Sequence, residues 1–315
     1  MSKKVISFVF PIYNEEGNIS LLYAEMQKVV AKLTRYRYEF IFVNDGSRDS
    51  SLQLLSELAK KDKQVIILNF SRNFGHQAAV TAGIDHAKGD AVIIMDADMQ
   101  DPPEVCLELV KRWEEGYDVA YAQRRSRQDT FFKKTTATAF YRLLAKLSAI
   151  DIPRNTGDFR LADRKVIDAV RGMQEYNRFL RGMFSFVGFK QIAVPFDRHA
   201  RHAGVTNYPL KKMLRLAKDG ILGFSDIPLR LIARLGFLVS LLSLIGIIYA
   251  VLLKVFFASI TVPGWTMIVV AIFFMGGVQL LMLGVIGEYI GRIYNEVRGR
   301  PKYIIAEVTD QTNGK

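Results

Sequence analysis

From Leu235 to Leu253 the chain carries no charged side chain, and beyond Lys254 a second uncharged run reaches Gly287. Few environments accept such runs. In hydrocarbon every backbone N–H and C=O must be satisfied within its own segment, so about 20 consecutive apolar residues cross a bilayer only as a helix. Pro263-Gly264 interrupts the second run. The pattern predicts transmembrane helices over 235–257 and 265–287, joined by a short connection and followed by a tail over 288–315. A hairpin puts both flanks on one side. Those flanks hold Arg230, Arg234, Arg292, Arg298, Arg300 and Lys302, whereas the connection side has only Lys254. The positive-inside rule then places both termini in the cytoplasm. Gly276-Gly277 and Gly284 would let neighbouring helices approach closely, which points to an oligomer. A buried hairpin in a soluble protein is the alternative.

The first 125 residues read differently. Short apolar runs at Val5–Pro11, Tyr38–Val43, Val65–Leu68, Val92–Met95 and Asp118–Ala122 alternate with segments of helical periodicity near 19–33, 52–58, 77–87 and 103–116. Strands alternating with helices predict a mostly parallel, doubly wound α/β sheet. Neither G-x-G-x-x-G nor G-x-x-x-x-G-K-[ST] occurs, which disfavours the usual dinucleotide fold and a P-loop. The single cysteine, Cys106, excludes an intramolecular disulfide and fits a reducing compartment.

In open α/β sheets ligands bind outside the carboxyl ends of the strands. At those ends stand Tyr13-Asn14-Glu15, Asn44-Asp45-Gly46-Ser47 and Asp96-Ala97-Asp98-Met99-Gln100-Asp101-Pro102-Pro103. Glu15, Asp45, Asp96 and Asp98 would converge on one rim. Oxygen ligands in a cluster suit Mg²⁺ or Mn²⁺, which commonly bridges a carboxylate to substrate phosphates. Each residue also has a plainer reading: Asp45 as a turn residue, Glu15 as a helix-start charge, and Asp101 as the cap of the next helix. Asp158, after Gly157, reads as a turn residue that brings a carboxylate near a ligand or caps locally.

The formal net charge of +12 implies an anionic partner or surface. Arg124, Arg125 and Arg127 form a basic cluster. Residues 129–150 form a basic amphipathic helix suited to a membrane interface, with an ordinary surface helix as the alternative. A second basic amphipathic stretch covers 206–234. Gln191–Phe196 reads as a strand leading into Arg198, His199, Arg201 and His202, where arginine suits phosphate oxygens. Because the basic stretches lie beside the apolar runs, anionic lipid accounts for the charge better than nucleic acid, and no nucleic-acid module is visible.

Taken together, Pro11-Ile12-Tyr13-Asn14-Glu15, Val43-Asn44-Asp45-Gly46-Ser47, Arg72-Asn73-Phe74-Gly75, Asp96 through Glu104 and Gly157-Asp158-Phe159-Arg160-Leu161 resemble glycosyltransferase family 2. Within it they are similar to the polyprenyl-phosphate glycosyltransferases, of the GtrB and dolichol-phosphate mannose synthase types. The resemblance covers nearly the whole chain. It implies a GT-A nucleotide-sugar-binding domain over 1–205, followed by the juxtamembrane segment and the two spans. It implies that Pro11, Tyr13, Glu15 and Asp45 hold the donor's uridine. Asp96, Asp98 and Gln100 would hold the donor and Mg²⁺ or Mn²⁺, with Asp98 the direct ligand. Arg124 and Arg201 would meet donor or lipid phosphate, with Arg125, Arg127 and Arg198 as further phosphate contacts. Asp158 would serve as a catalytic residue that orients the acceptor or a sugar hydroxyl. The resemblance also implies a homo-oligomer, a tetramer in this subfamily. The family often has a lysine where Thr206-Asn207 stand here.

The activity implied is inverting transfer of a hexose, glucose from UDP-glucose, to undecaprenyl phosphate on the cytoplasmic membrane face. GDP-mannose or a UDP-amino-pentose would be alternative donors. A non-catalytic scaffold for a lipid-sugar flippase is the alternative of a different class.

Overall fold

The computed structural model describes residues 3–125, 153, 155–197, 227–256 and 264–311. Five strands and four helices alternate first: β1 (Val5–Ile12), α1 (Glu16–Lys32), β2 (Arg37–Asn44), α2 (Ser51–Lys61), β3 (Val65–Phe70), α3 (His76–His86), β4 (Ala91–Ile94), α4 (Val105–Glu114) and β5 (Val119–Arg124). Next come β6 (Thr156–Asp163), α5 (Arg164–Gly172), α6 (Leu180–Phe186) and β7 (Gln191–Phe196). Two long helices, α7 (Ile227–Phe256) and α8 (Trp265–Val297), and a last strand, β8 (Ile305–Asp310), complete the order.

The strands form one sheet in the order β7-β5-β6-β4-β1-β2-β3-β8. Pairs β1·β2, β1·β4, β2·β3 and β5·β7 are parallel, as the alternation predicts. Strand β6 corrects that expectation: it inserts between β4 and β5 and runs antiparallel to both. The cause is where the chain re-enters. It leaves the sheet at the carboxyl end of β5 and returns at the same end, with Arg124 N–H donating to Asn155 O at 3.1 Å. A strand that starts there must run against its neighbours. The same holds for β8, antiparallel to β3, where the sequence suggested only a tail.

Two apolar layers cover the sheet. On one side Ile6, Phe8, Phe10, Phe40 and Phe42 pack against α1, α2 and α4, with Phe10 and Phe42 stacked at 5.0 Å. On the other, Val9, Ile41, Val43 and Ile94 pack against α3, α5 and α6. Helix α3 is built of small residues because it lies close on β1: a Cβ on Gly83 would sit 2.1 Å from Val9 Cγ1. Pro11 is tolerated in a central strand because β4 pairs with β1 only as far as Val9. Its missing N–H therefore falls beyond the end of that ladder.

Helices α7 and α8 expose apolar side chains, among them Phe237 and Leu280. They touch where a Cβ on Gly236 would meet Met282 Cε at 3.0 Å. Among the described residues one segment, Phe274–Val297, is long and apolar enough to cross a membrane. It begins later than the expected 265–287. The apolar part of α7 that meets the composition, Leu231–Gly246, is shorter.

Candidate active site

The carboxyl ends of β1 and β2 are locked together by their own loops. Asn14, at φ 55°, donates its N–H to Ser47 Oγ at 3.0 Å, and its side-chain oxygen accepts from Arg48 N–H at 2.8 Å. Glu15 stands at the N-cap of α1, its N–H on Ser51 Oγ and its carboxylate accepting from Asn18 Nδ2 at 2.6 Å. Tyr13 beside it is exposed. Gly46 is required: at φ 66° any Cβ would lie 2.6 Å from the Arg72 carbonyl carbon. That contact brings the Arg72–Gly75 loop against β2.

Asp45 is the clamp on this loop. Its buried carboxylate accepts from Phe74 N–H at 2.6 Å, from Gly75 N–H at 2.9 Å and from Asn73 Nδ2 at 3.0 Å. Burial pushes its pKa up, against the lowering effect of those two backbone donors. Its oxygens are close to the limit of what a carboxylate accepts.

The carboxyl end of β4 is arranged otherwise. Asp96 and Asp98 follow it on a loop in which Met99 adopts a left-handed φ of 56°. A non-glycine residue there signals a locally fixed backbone. Asp98 Oδ1 accepts from Gln100 N–H at 3.2 Å. Asp96 Oδ1 is shielded from solvent without a hydrogen bond, and 3.6 Å from His76 Nε2. Burial holds the Asp96 carboxyl above its ordinary range; His76 opposes this while Asp158 and Asp98 add to it.

Asp158 completes the rim, and the structure corrects its setting. It is not in a turn but in β6, where Phe159 and Leu161 face the α1/α4 layer. The alternate residues, Asp158 and Arg160, therefore face α3 and α6. The β5·β6 register shifts between Tyr121 and Gln123, beside Asp158. The buried carboxylate accepts from Arg181 Nε at 2.9 Å and Gln77 Nε2 at 3.3 Å, and is 3.0 Å from His76 Nε2. Burial alone would raise its pKa; Arg181 and His76 outweigh that and hold it well below the usual range. For His76 burial would lower the pKa, but Asp96 and Asp158 push it up to about 9. His76 thus stands as an imidazolium between Asp96 and Asp158 at neutral pH. Beneath the rim Arg160 donates to Gly157 O at 3.0 Å and lies over the Phe184 ring.

Arg124 reaches the rim from β5, its Nη2 3.8 Å from buried Asp101. Asp101 is not at the helix cap position: α4 starts at Val105 with Glu104 at its N-cap. Arg125 pairs with Asp197 at 3.0 Å. Arg127, Arg198, Arg201, the 129–150 stretch and Thr206-Asn207 lie outside the described residues. His76, Gln77 and Arg181 were not singled out from the sequence. His76 directly follows the Arg72–Gly75 motif but has no partner near it in the sequence, and Arg181 lies on a helix that local spacing does not reveal.

Among the described residues no three carboxylate, histidine or cysteine side chains form a ready cage for a metal. The donor set of Asp96, Asp98 and Gln100, with one shielded carboxylate oxygen lacking a hydrogen bond, fits a cation that completes its shell with phosphate oxygens. A cavity of about 500 Å³ lies at the opposite end of the sheet, by Lys4, Trp113 and Asp118. Two of its polar groups are mated, Trp113 Nε1 donating to Asp163 at 2.7 Å and Asp118 pairing with Lys165 at 2.6 Å.

Paired carboxylates, an arginine and a clamped Arg-Asn-Phe-Gly loop thus stand together at the strand ends of an α/β sheet. Residues 7–171 match glycosyl transferase family 2, and the chain belongs to that family. It is a glycosyltransferase with the GT-A fold on a mixed sheet. It is 51% identical to an uncharacterized glycosyltransferase, YkcC, of Bacillus subtilis over 95% of this chain and 92% of that protein. It is 42% identical to the bactoprenol glucosyl transferase of Shigella phage SfII over 95% of this chain and 97% of that one. A glucosyl-3-phosphoglycerate synthase from Mycobacterium tuberculosis, solved with Mn²⁺, UDP-glucose and phosphoglyceric acid, superposes with a TM-score of 0.47. That match has 19% identity and covers 70% of this chain and 78% of that one.

Proposed function

We propose that this glycosyltransferase moves a hexose, glucose from UDP-glucose, to a polyprenyl phosphate, undecaprenyl phosphate, at the cytoplasmic membrane face, with inversion at the anomeric carbon. The observation that carries the reading is one chain joining an acidic nucleotide-sugar rim to an exposed apolar helix long enough for a membrane. The bactoprenol glucosyl transferase relative supports the acceptor class. In this reading both α7 and α8 span the bilayer, both termini are cytoplasmic, and the exposed glycines of α8 serve a tetramer.

The chemistry follows from the acceptor. A phosphate monoester has a second pKa near about 6, so its oxygen is already largely anionic at neutral pH. That oxygen attacks C1 as the C1–O bond to the diphosphate breaks, and no base has to take a proton. Asp158 agrees with this: its carboxylate is enclosed by Arg181, Gln77 and His76 and held strongly acidic, a setting for fixing charge, not for accepting a proton. A hydroxyl acceptor would need such a base. Asp98, Asp96 and Gln100 would hold Mg²⁺ or Mn²⁺, which when bound stabilises the departing diphosphate. Pro11, Tyr13 and Glu15 would line the uridine, and Asp45 would act there through the Asn73–Gly75 backbone it holds. Arg124, with Arg125, Arg127, Arg198 and Arg201, would meet phosphate oxygens.

The test is incubation of purified full-length protein with Mg²⁺, undecaprenyl phosphate and, separately, radiolabelled UDP-glucose, UDP-galactose, UDP-N-acetylglucosamine and GDP-mannose, followed by lipid extraction. Label in the lipid from UDP-glucose alone is expected. Label from another donor would replace the sugar, and UDP binding without lipid label from any donor would remove the acceptor.

A further inference from the structure

Strand β8 buries little. Ala306, Glu307 and Val308 are exposed on the outermost position of the sheet, and its apolar contact with the layer beneath comes from Ile305, with Tyr303 just before it. What attaches it is a set of specific contacts to β3 and to the loop that follows. Ser71 N–H donates to Ile304 O at 3.0 Å. The Tyr303 ring stacks on Phe70 at 5.2 Å and 9°, and its hydroxyl donates to Asp85 Oδ2 at 2.9 Å. On the other face of this contact Phe70 meets Phe74 edge-on at 5.7 Å. Phe74 is the residue whose N–H is clamped by Asp45, two positions before His76. At the other end of the connection, Val297 closes the membrane-length helix, and Glu296 in its last turn accepts from Tyr176 N–H at 2.8 Å. From the helix end the chain crosses residues 298–302 to Tyr303, and from there packed rings and backbone bonds lead to the rim.

We infer that Tyr303 is a positioning residue, which fixes the cytoplasmic end of α8 to the Arg72–Gly75 loop and so sets the rim's height over the bilayer where a lipid-borne acceptor reacts. This rests on the reading above that the acceptor is a membrane lipid phosphate. Reaction demands alignment: a misplacement of about 1 Å can lower a rate on the order of a hundredfold. A soluble acceptor finds the rim wherever it stands; a bilayer acceptor does not.

The discriminating experiment compares wild type, Tyr303→Phe and Tyr303→Ala as full-length proteins with two acceptors, undecaprenyl phosphate in proteoliposomes and the short, water-soluble citronellyl phosphate. For Tyr303→Ala the expected result is a loss of kcat/KM with the bilayer acceptor on the order of tenfold. With the soluble acceptor the rate should stay within about twofold. Tyr303→Phe keeps the stack and should retain most of the bilayer rate. Equal losses with both acceptors, or no loss with either, would overturn the inference. Amide exchange of the same proteins gives an arm that needs no sugar transfer: residues 304–310 of the β8 attachment should exchange faster in Tyr303→Ala, while Phe74 and Gly75, held by Asp45, should not. If wild type labels neither acceptor, the acceptor reading fails alone. Exchange then decides the coupling: faster exchange supports it, and unchanged rates reject it.

Discussion

Two acidic loops at one rim, separated by a single strand, are finished to different degrees. After β2, Asp45 gives its carboxylate to the loop at 73–75, and Asn14, Ser47, Asp49 and Ser51 lace the adjoining turns to one another. After β4, Asp96 keeps an oxygen shielded and without a hydrogen bond, and burial disfavours its charged form and raises its pKa. Satisfied carboxylates shape a surface, whereas one with unused capacity in a shielded place waits for a ligand. The comparison separates a carboxylate spent on fixing a loop from one left with capacity to bind.

Substitutions should split along the same line. The largest effect is expected for Asp98→Asn and Asp96→Asn. Losing a cation contact worth several kcal/mol lowers sugar transfer on the order of a thousandfold. The melting temperature of Asp96→Asn should hold or rise, because an amide removes the buried charge. A marked fall in its melting temperature would place Asp96 with the scaffold instead. Asp45→Ala should behave the opposite way. It strands buried donors at Phe74 and Gly75, and chemical denaturation should show a loss of about 1 to 3 kcal/mol.

A smaller effect concerns pH. The His76 pKa rises from its ordinary 6.5 to about 9 in the folded chain. A raised folded value means that its contribution to stability is fully present below about 6.5 and is lost as pH climbs through about 9. His76→Gln should flatten the melting-temperature profile over that interval; an unchanged slope would show that other groups set it. The smallest change is expected for Ser47→Ala, which removes one exposed acceptor at Asn14 and should lower stability by about 0.5 kcal/mol.

How far the sequence revealed this comparison depends on periodicity. Strands β1 to β5 are apolar runs ending in polar turns, and both acidic loops were legible because they terminate such runs. Strand β6 was missed although Phe159 and Leu161 alternate with polar residues, since Gly157-Asp158 imitates a turn. Strand β8 is short and mostly exposed, so little apolar pattern marks it. The partners of Asp158 come from α3 and α6, far apart in the chain, and only the antiparallel return of β6 brings them together. Such convergence leaves no trace in local spacing.

The register shift between Tyr121 and Gln123 carries a consequence of its own. Side chains on a strand change faces with each residue, so a one-residue slip in the pairing of β6 would turn Asp158 toward the α4 layer and Phe159 toward His76. Part of the rim's geometry is therefore stored as a number of residues, not as their kinds. Conservative exchanges at Ala122 or Gln123 should be absorbed, while one residue inserted between Phe159 and Arg160, with Arg160 to Asp163 still held on β4, would put a phenyl ring where the carboxylate stands.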